Sequence, residues 1–383
     1  MPRLAVVLFN LGGPDRPDAV EPFLFNLFSD PAIVSAPWPI RPLLAWLIAK
    51  RRAPVARAIY ARLGGGSPLL ALTRKQAAAL EARLNAGGTD TRVFVAMRYW
   101  SPMSDEVARE VAAWSPERIV LLPLYPQFST TTTESSFKDW VRAAAAAGLN
   151  QPTHALCCYP SEAGFVAAEA ELTRKALAEA ARAGESSCEC TPSGVTRESN
   201  NTPLSGRAGK PRVLFSAHGL PKRVVARGDP YPRQVETTAA AIAGKLGLAP
   251  GEWAVCYQSR VGPLEWIGPS TEDEIARAGR DRVPVVVVPI AFVSEHSETL
   301  VELDIEYRHR AERAGVPGYV RVPAVAEHPL FITGLADLVR EALLQPPGVC
   351  RTGSAPGCVM PLGMHSHDGR FARCANGHAL ASL

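Results

Sequence analysis

The sequence predicts an α/β protein with an open parallel sheet in each half. Short runs of Val, Ile and Leu alternate with Ala-rich helical stretches, the alternation repeats in the second half, and 383 residues is room for two domains. Apolar runs uninterrupted by polar residues fit strands buried on both faces, hence parallel strands covered by helices. Ligands of such sheets sit at the carboxyl ends of the strands.

Along the chain, residues 4–11 read as a buried strand, 75–85 as a helix, 92–97 as a strand and 105–114 as a helix. Residues 118–124 read as a strand and 135–147 as a helix. The second half gives strands at 212–217, 253–258 and 283–289, with helices at 234–246, 272–278 and from about Ser297 and Leu330. One lobe is expected over residues 1–150 and another over 151–345, the last helix being free to pack back on the first lobe. Residues 184–210 have almost no large apolar side chain and read as a flexible insertion, while 346–383, rich in Gly, Cys and His, read as a disordered tail.

Composition excludes several classes. The chain is 47% hydrophobic and 20% charged, enough to build a core. A net charge of +4 without a basic cluster argues against a nucleic-acid partner. The longest apolar runs, 42–49 and 283–293, fall short of the ~18–20 residues that span a bilayer. The start of the chain runs into a strand with no signal-cleavage pattern, so a cytoplasmic protein is expected. Its eight cysteines are then expected to be thiols or metal ligands, although no CxxC pair occurs.

Chemistry concentrates at three places. In RVLFSAHGLP (212–221) a strand delivers His218 to a carboxyl edge, where Gly219 permits close backbone approach and Pro221 stops the strand. After the strand VPVVVVPI, a predicted helix carries Glu295, Glu298, Glu302 and Glu306 at spacings of three and four, which aligns them in one stripe. No Lys or Arg occurs from 283 to 307, so nothing local neutralises the stripe, and His296 sits inside it. Oxygen ligands with an imidazole suit a divalent first-row cation or a proton relay directed towards His218. The third place lies in the first half, where LFNLGGP (8–14), MRYWSP (97–102) and YPQFS (125–129) end strands. Aromatic rings and a guanidinium there suit a flat anionic ligand. LGGGSP (63–68) lacks the Lys-Ser/Thr of a phosphate loop, so nucleotide binding is not expected.

These motifs, with AKRR (49–52), Tyr60 and RLGGGSP (62–68), LYPQFSTTT (124–132), RGDPYP (227–232), YQSRVGPLEWIGP (257–269) and PIAFVSEHSETLVELDIEY (289–307), resemble the ferrochelatases over residues 1 to about 345. The resemblance implies two similar Rossmann-like lobes, each a parallel sheet with helices on both faces, with a porphyrin in the cleft between them. It implies a lyase of haem biosynthesis that inserts Fe²⁺ into protoporphyrin IX to form protohaem. A coproporphyrin III ferrochelatase or another tetrapyrrole chelatase is the near alternative, and a non-catalytic porphyrin or haem carrier the distant one. By the resemblance His218 and Glu298 are the catalytic and metal-binding pair, with Glu302 and Glu306 continuing the acidic path. Leu11, Tyr60, Arg98, Tyr99, Trp266 and His296 match positions lining the porphyrin pocket, Leu11 standing where many members have Met. Residues 40–60 match an active-site lip that can touch membrane as a peripheral contact. No cofactor is required beyond the substrate Fe²⁺. Cys350, Cys358 and Cys374 are spaced more widely than in relatives that carry a [2Fe–2S] cluster, and Ala168 replaces the internal ligand, so a cluster is not expected. The oligomeric state is not legible.

Overall fold

The uninterrupted apolar run near the start becomes the central strand of a parallel sheet. A computed structural model describes residues 3–186, 209–260, 262 and 264–347. β1 (Arg3–Asn10) is buried from its second residue onward. It lies between β2 (Asp90–Met97) and β3 (Arg118–Pro123), with β4 (Thr153–Ala155) outside β3. All pairings are parallel. The second sheet repeats the plan, with β5 (Arg212–His218) between β6 (Trp253–Gln258) and β7 (Val285–Val288) and β8 (Tyr319–Arg321) outermost, again all parallel. Strand order therefore reverses at β1 in one sheet and at β5 in the other. The carboxyl end of each such strand opens onto the crevice where α/β sheets bind ligands. β4 and β8, three residues each, are too short to form a recognisable apolar run.

Helices cover both faces of each sheet. In the first half, α1 (Val20–Ser29) and α2 (Ile40–Ala61) form an outer pair, and α3 (Leu69–Asn85), α4 (Ser104–Trp114) and α5 (Thr133–Ala146) pack on the sheet. Phe9 of β1 meets Phe137 and Trp140 of α5 edge-on at 5.6 and 5.8 Å. In the second half, α6 (Ala163–Ser186), α7 (Lys222–Ala226) and α8 (Tyr231–Leu246) come before β6, and α9 (Thr271–Asp281) follows it. A π-helix (Glu298–Tyr307) then runs directly into α10 (Arg308–Arg313). α6 and α8 enclose Phe215 and Val286 on one face of the second sheet, while Ile275, Leu303 and Ala311 cover the other. α11 (Pro329–Leu343) crosses back, and its Phe331, Leu335 and Val339 share a core with Leu4, Val6 and Leu8 of β1. Residues 184–186 of the expected insertion continue α6. The rest of that insertion (187–208) and the tail from 348, with Cys350, Cys358 and Cys374, lie outside the described residues.

Polar side chains clasp the two halves. Gln76 of α3, wholly buried, donates to the carbonyls of Val293 and Ala326 at 2.9 Å each and accepts from Ser294 Oγ at 2.8 Å. Gln127 donates to Thr238 Oγ1 at 2.9 Å and to the Ile290 carbonyl at 3.1 Å. Asp229 accepts from Ser129 Oγ, Thr130 N and Thr130 Oγ1 at 2.7–2.9 Å. Buried groups of this kind cost little while paired and much when orphaned. Replacing Gln76 by Leu strands two carbonyls and a hydroxyl, and should lower stability by about 2–3 kcal/mol in urea denaturation. A loss under ~0.5 kcal/mol would show that the clasp contributes nothing.

Candidate active site

β5 ends at His218, and its neighbour β6 ends at Gln258 in register with it. Gly219 then turns the chain beneath Trp266. A Cβ at 219 would stand 3.0 Å from the Gln258 carbonyl and 3.3 Å from the Trp266 ring, so no larger residue fits without moving backbone. Residues 220–222 pair with 265–267, which holds Trp266 beside this turn.

The facing wall is the start of the π-helix. Glu298 Oε2 lies 3.6 Å from His218 Nδ1 and 3.8 Å from His296 Nε2. Ser259, one residue beyond β6 and in the left-handed region at φ 59°, joins the acids. Its hydroxyl lies 3.1 Å from Glu298 Oε2 and 2.5 Å from Glu302 Oε2, and its N–H donates to Glu302 Oε1 at 2.9 Å. Tyr307 OH donates to the same Glu302 oxygen at 3.0 Å. Tyr60 reaches in from α2, where Ser297 hydrogen-bonds its hydroxyl.

The electrostatics follow from these neighbours. Burial alone would push the Glu298 carboxyl up, but His218, His296 and the Ser259 hydroxyl outweigh it and hold it at about 2, so Glu298 is ionised. Burial and the adjacent Glu298 charge push Glu302 up, against the hydrogen bonds from Ser259 and Tyr307. The pair divides into one carboxylate that keeps its charge and one that retains a proton more readily. Burial, then the Glu298 charge, raises the Tyr60 phenol to about 12, offset in part by Ser297.

The predicted site residues are only partly brought together. His218, His296, Glu298, Glu302, Tyr60 and Trp266 surround one place. Leu11 shares an apolar cluster with Tyr60 and Tyr99. Glu306 lies further out, 3.6 Å from Arg62, on a cavity of about 500 Å³ that Arg310 and Arg313 also line. Several expectations are corrected. The stripe is not α-helical: residues 298–307 form a π-helix, whose i→i+5 bonding widens the turn. Glu295 precedes it and pairs with Arg321 at 2.8 Å, so it stands outside the stripe. Neutralisation of Glu306 comes from distant chain, Arg62, because the absence of basic residues between 283 and 307 says nothing about neighbours in space. Arg98 is partly committed within the first half: Nη2 is 2.8 Å from buried Asp30, Nε donates to Ser135 at 2.8 Å, and Nη1 lies 3.9 Å from Asp139. Tyr99, 1% exposed, also donates to Asp30, so its ring is core rather than cleft wall. Among the described residues, no group of three or more His, Cys, Asp and Glu is gathered as a metal cage.

Two residues that sequence reasoning did not single out belong to the site. Ser259 had a signal, since it directly follows a strand beside the His218 strand. Tyr307 had none beyond closing the acidic segment.

Two parallel sheets with adjoining carboxyl edges define a two-sheet α/β protein, and the imidazoles set against an ionised carboxylate there are donors of a kind suited to a divalent cation. The chain belongs to the ferrochelatase family, whose model matches residues 3–343. It is 53% identical over 348 residues to a ferrochelatase of Caulobacter vibrioides (strain NA1000 / CB15N), covering 90% of this chain and 92% of that one. It is 50% identical to a ferrochelatase of Phenylobacterium zucineum (strain HLK1), over 92% and 94% of the two chains. Among solved structures, the sirohydrochlorin chelatase SirB from Bacillus subtilis subspecies spizizenii in complex with cobalt has a TM-score of 0.48 and 11% identity, over 89% of this chain and 95% of that one. The protein is thus an enzyme that inserts iron into a porphyrin to form protohaem.

The raised Glu302 carboxyl has a thermodynamic consequence. The folded protein holds that proton more tightly than the unfolded chain, so Glu302 takes stability away as pH rises from the ordinary carboxylate range through its own raised value. Gln at 302 cannot ionise and can keep the Ser259 and Tyr307 contacts. Thermal melts should therefore show the midpoint of Glu302→Gln gaining on wild type between pH 4 and pH 8. A gap that is constant or shrinks would contradict the assignment.

Proposed function

We propose that His218 and Glu298 perform the metal exchange, with Glu302 and Glu306 as oxygen ligands along the route of the incoming Fe²⁺. Insertion replaces two pyrrole protons with one divalent ion, so the site must accept protons and offer anionic oxygen. The observation that carries the reading is the 3.6 Å approach of His218 Nδ1 to an ionised Glu298. An imidazole is a suitable acceptor near neutral pH. Glu298 keeps a negative charge where the cation must arrive, and its neighbour Glu302, which binds a proton more readily than an ordinary carboxylate, offers an acceptor for a released one. Tyr60, Trp266, His296 and Leu11 supply ring faces and apolar surface for a flat macrocycle, while Arg98 and Tyr99 act behind them by fixing Asp30. The reaction itself needs no resident cofactor.

Protoporphyrin IX is the porphyrin of this reading. Coproporphyrin III carries more carboxylates, and Arg98 spends two of its nitrogens on Asp30 and Ser135. A carrier without catalysis would have no use for the His218–Glu298 pair. His218→Ala should abolish anaerobic Fe²⁺ insertion while porphyrin binding, followed by fluorescence quenching, persists. Near-normal turnover would defeat the assignment.

We further propose a cytoplasmic enzyme that touches membrane through α2. No described helix is long and apolar enough to cross a bilayer. α2 turns Ala45, Ala49 and Ala53 inward, while Trp38 (75%) and Leu43 (68%) are exposed with Ile40, Trp46 and Leu47. Lys50, Arg51 and Arg52 follow, a composition suited to an anionic interface. Replacing Leu43, Trp46 and Leu47 by Ser should cut co-sedimentation with anionic liposomes severalfold. Equal sedimentation of the two proteins would exclude this surface.

A further inference from the structure

Directly behind the acidic segment, β8 supplies a brace. The Arg321 side chain is only 9% exposed. Its Nη1 donates to both Glu295 oxygens, at 2.8 and 3.1 Å, and lies 3.2 Å from the Val322 carbonyl. Its Nη2 stands 2.8 Å from Asp304 Oδ2. Glu295 immediately precedes His296, and Asp304 lies on the π-helix between Glu302 and Glu306. One guanidinium thus grips the chain on both sides of His296, Glu298 and Glu302. Tyr319, two residues earlier on β8, adds a hydrogen bond from its hydroxyl to the Leu303 carbonyl at 2.7 Å.

This grip has a physical reason. A π-helix is rare and held by less favourable bonding than an α-helix, so ten residues of it need external support. The charges also close: Arg321 and Arg308, which lies 3.7 Å from Asp304, face Glu295 and Asp304. Glu169 of α6, wholly buried near Glu295 with neither oxygen hydrogen-bonded to protein, is driven towards its neutral form by burial and then by the Glu295 charge. A planar fork holds two carboxylates in fixed directions, whereas an ammonium, with three rotatable donors on a flexible stem, can touch two but fixes neither.

We infer that Arg321 is a positioning residue for metal insertion, holding Glu295 and Asp304 so that His296, Glu298 and Glu302 face His218 at a set angle. The inference rests on His218 and Glu298 being the reacting pair. Three variants of the full chain test it: Arg321→Lys, Arg321→Met, and Arg321→Met combined with Glu295→Gln and Asp304→Asn. The triple variant strands no buried charge, since Arg308, which loses Asp304, is half-exposed, and it serves if Arg321→Met fails to fold. Each is assayed for anaerobic Fe²⁺ insertion, porphyrin affinity by fluorescence quenching, and thermal midpoint.

Arg321→Lys and the triple variant should lose about 10- to 100-fold in kcat/KM for Fe²⁺, the range expected from misplacement of about an ångström. Porphyrin affinity should stay within about twofold of wild type, and the Lys variant should retain more activity than Met or the triple. Wild-type iron kinetics in Arg321→Lys or in the triple variant overturns the inference. So does a loss in which porphyrin affinity and thermal midpoint fall in proportion, since that marks a purely structural arginine. His218→Ala run alongside separates the two readings. If it turns over normally, the reacting-pair assignment fails; if it is inactive while the Arg321 variants are fully active, only the positioning role does.

Discussion

Two carboxylates sharing one hydroxyl impose the constraint that organises the cleft. Glu298 and Glu302 both reach Ser259 Oγ, and two like charges at that separation cannot both ionise cheaply in a partly buried site. The surroundings resolve the conflict by placing unlike groups on the two sides. His218 and His296 approach Glu298, whereas Glu302 receives hydrogen bonds and the repulsion of its neighbour. A charge gradient follows, from an ionised acid at the imidazoles to a proton-retaining acid behind it. In the proposed exchange that asymmetry serves a cation moving in as protons move out.

The fold keeps the asymmetry by bracing the acidic segment from outside its own helix. Gln76 of the first half fixes the Val293 and Ser294 end. Arg321 and Tyr319 hold the π-helix from β8, and Tyr60 meets Ser297 from α2. Contacts from both halves of the chain therefore converge on about ten residues. The halves are joined along their carboxyl edges by buried polar groups whose loss leaves orphaned donors and acceptors, which opposes independent movement of the sheets at this seam.

Asp30 shows how a site can be built from charges that never touch a ligand. Arg98, Tyr99 and Ser135 all bind its buried carboxylate, the last through a very short hydrogen bond. A lone buried anion would be prohibitively costly, so the arginine is committed to it. The aromatic floor of the first half is consequently rigid, and Leu11 and Tyr60 rest on it.

The sequence by itself determined the α/β class, the repeated sheet, His218 at a strand end and the acids after β7, because apolar period and strand-end motifs are local properties of the chain. It also carried the family resemblance, whose motifs run in order through nearly the whole match. The tertiary structure decided which acids belong together. Spacing alone placed Glu295 in the stripe, but an arginine 26 positions further on removes it. Spacing alone implied an α-helix, but outside braces support a π-helix. The same local reading left Arg98 open to a ligand, and only folding brought Asp30 to it across 68 residues. Charge pairing acts through space, and no window on the sequence contains the partner.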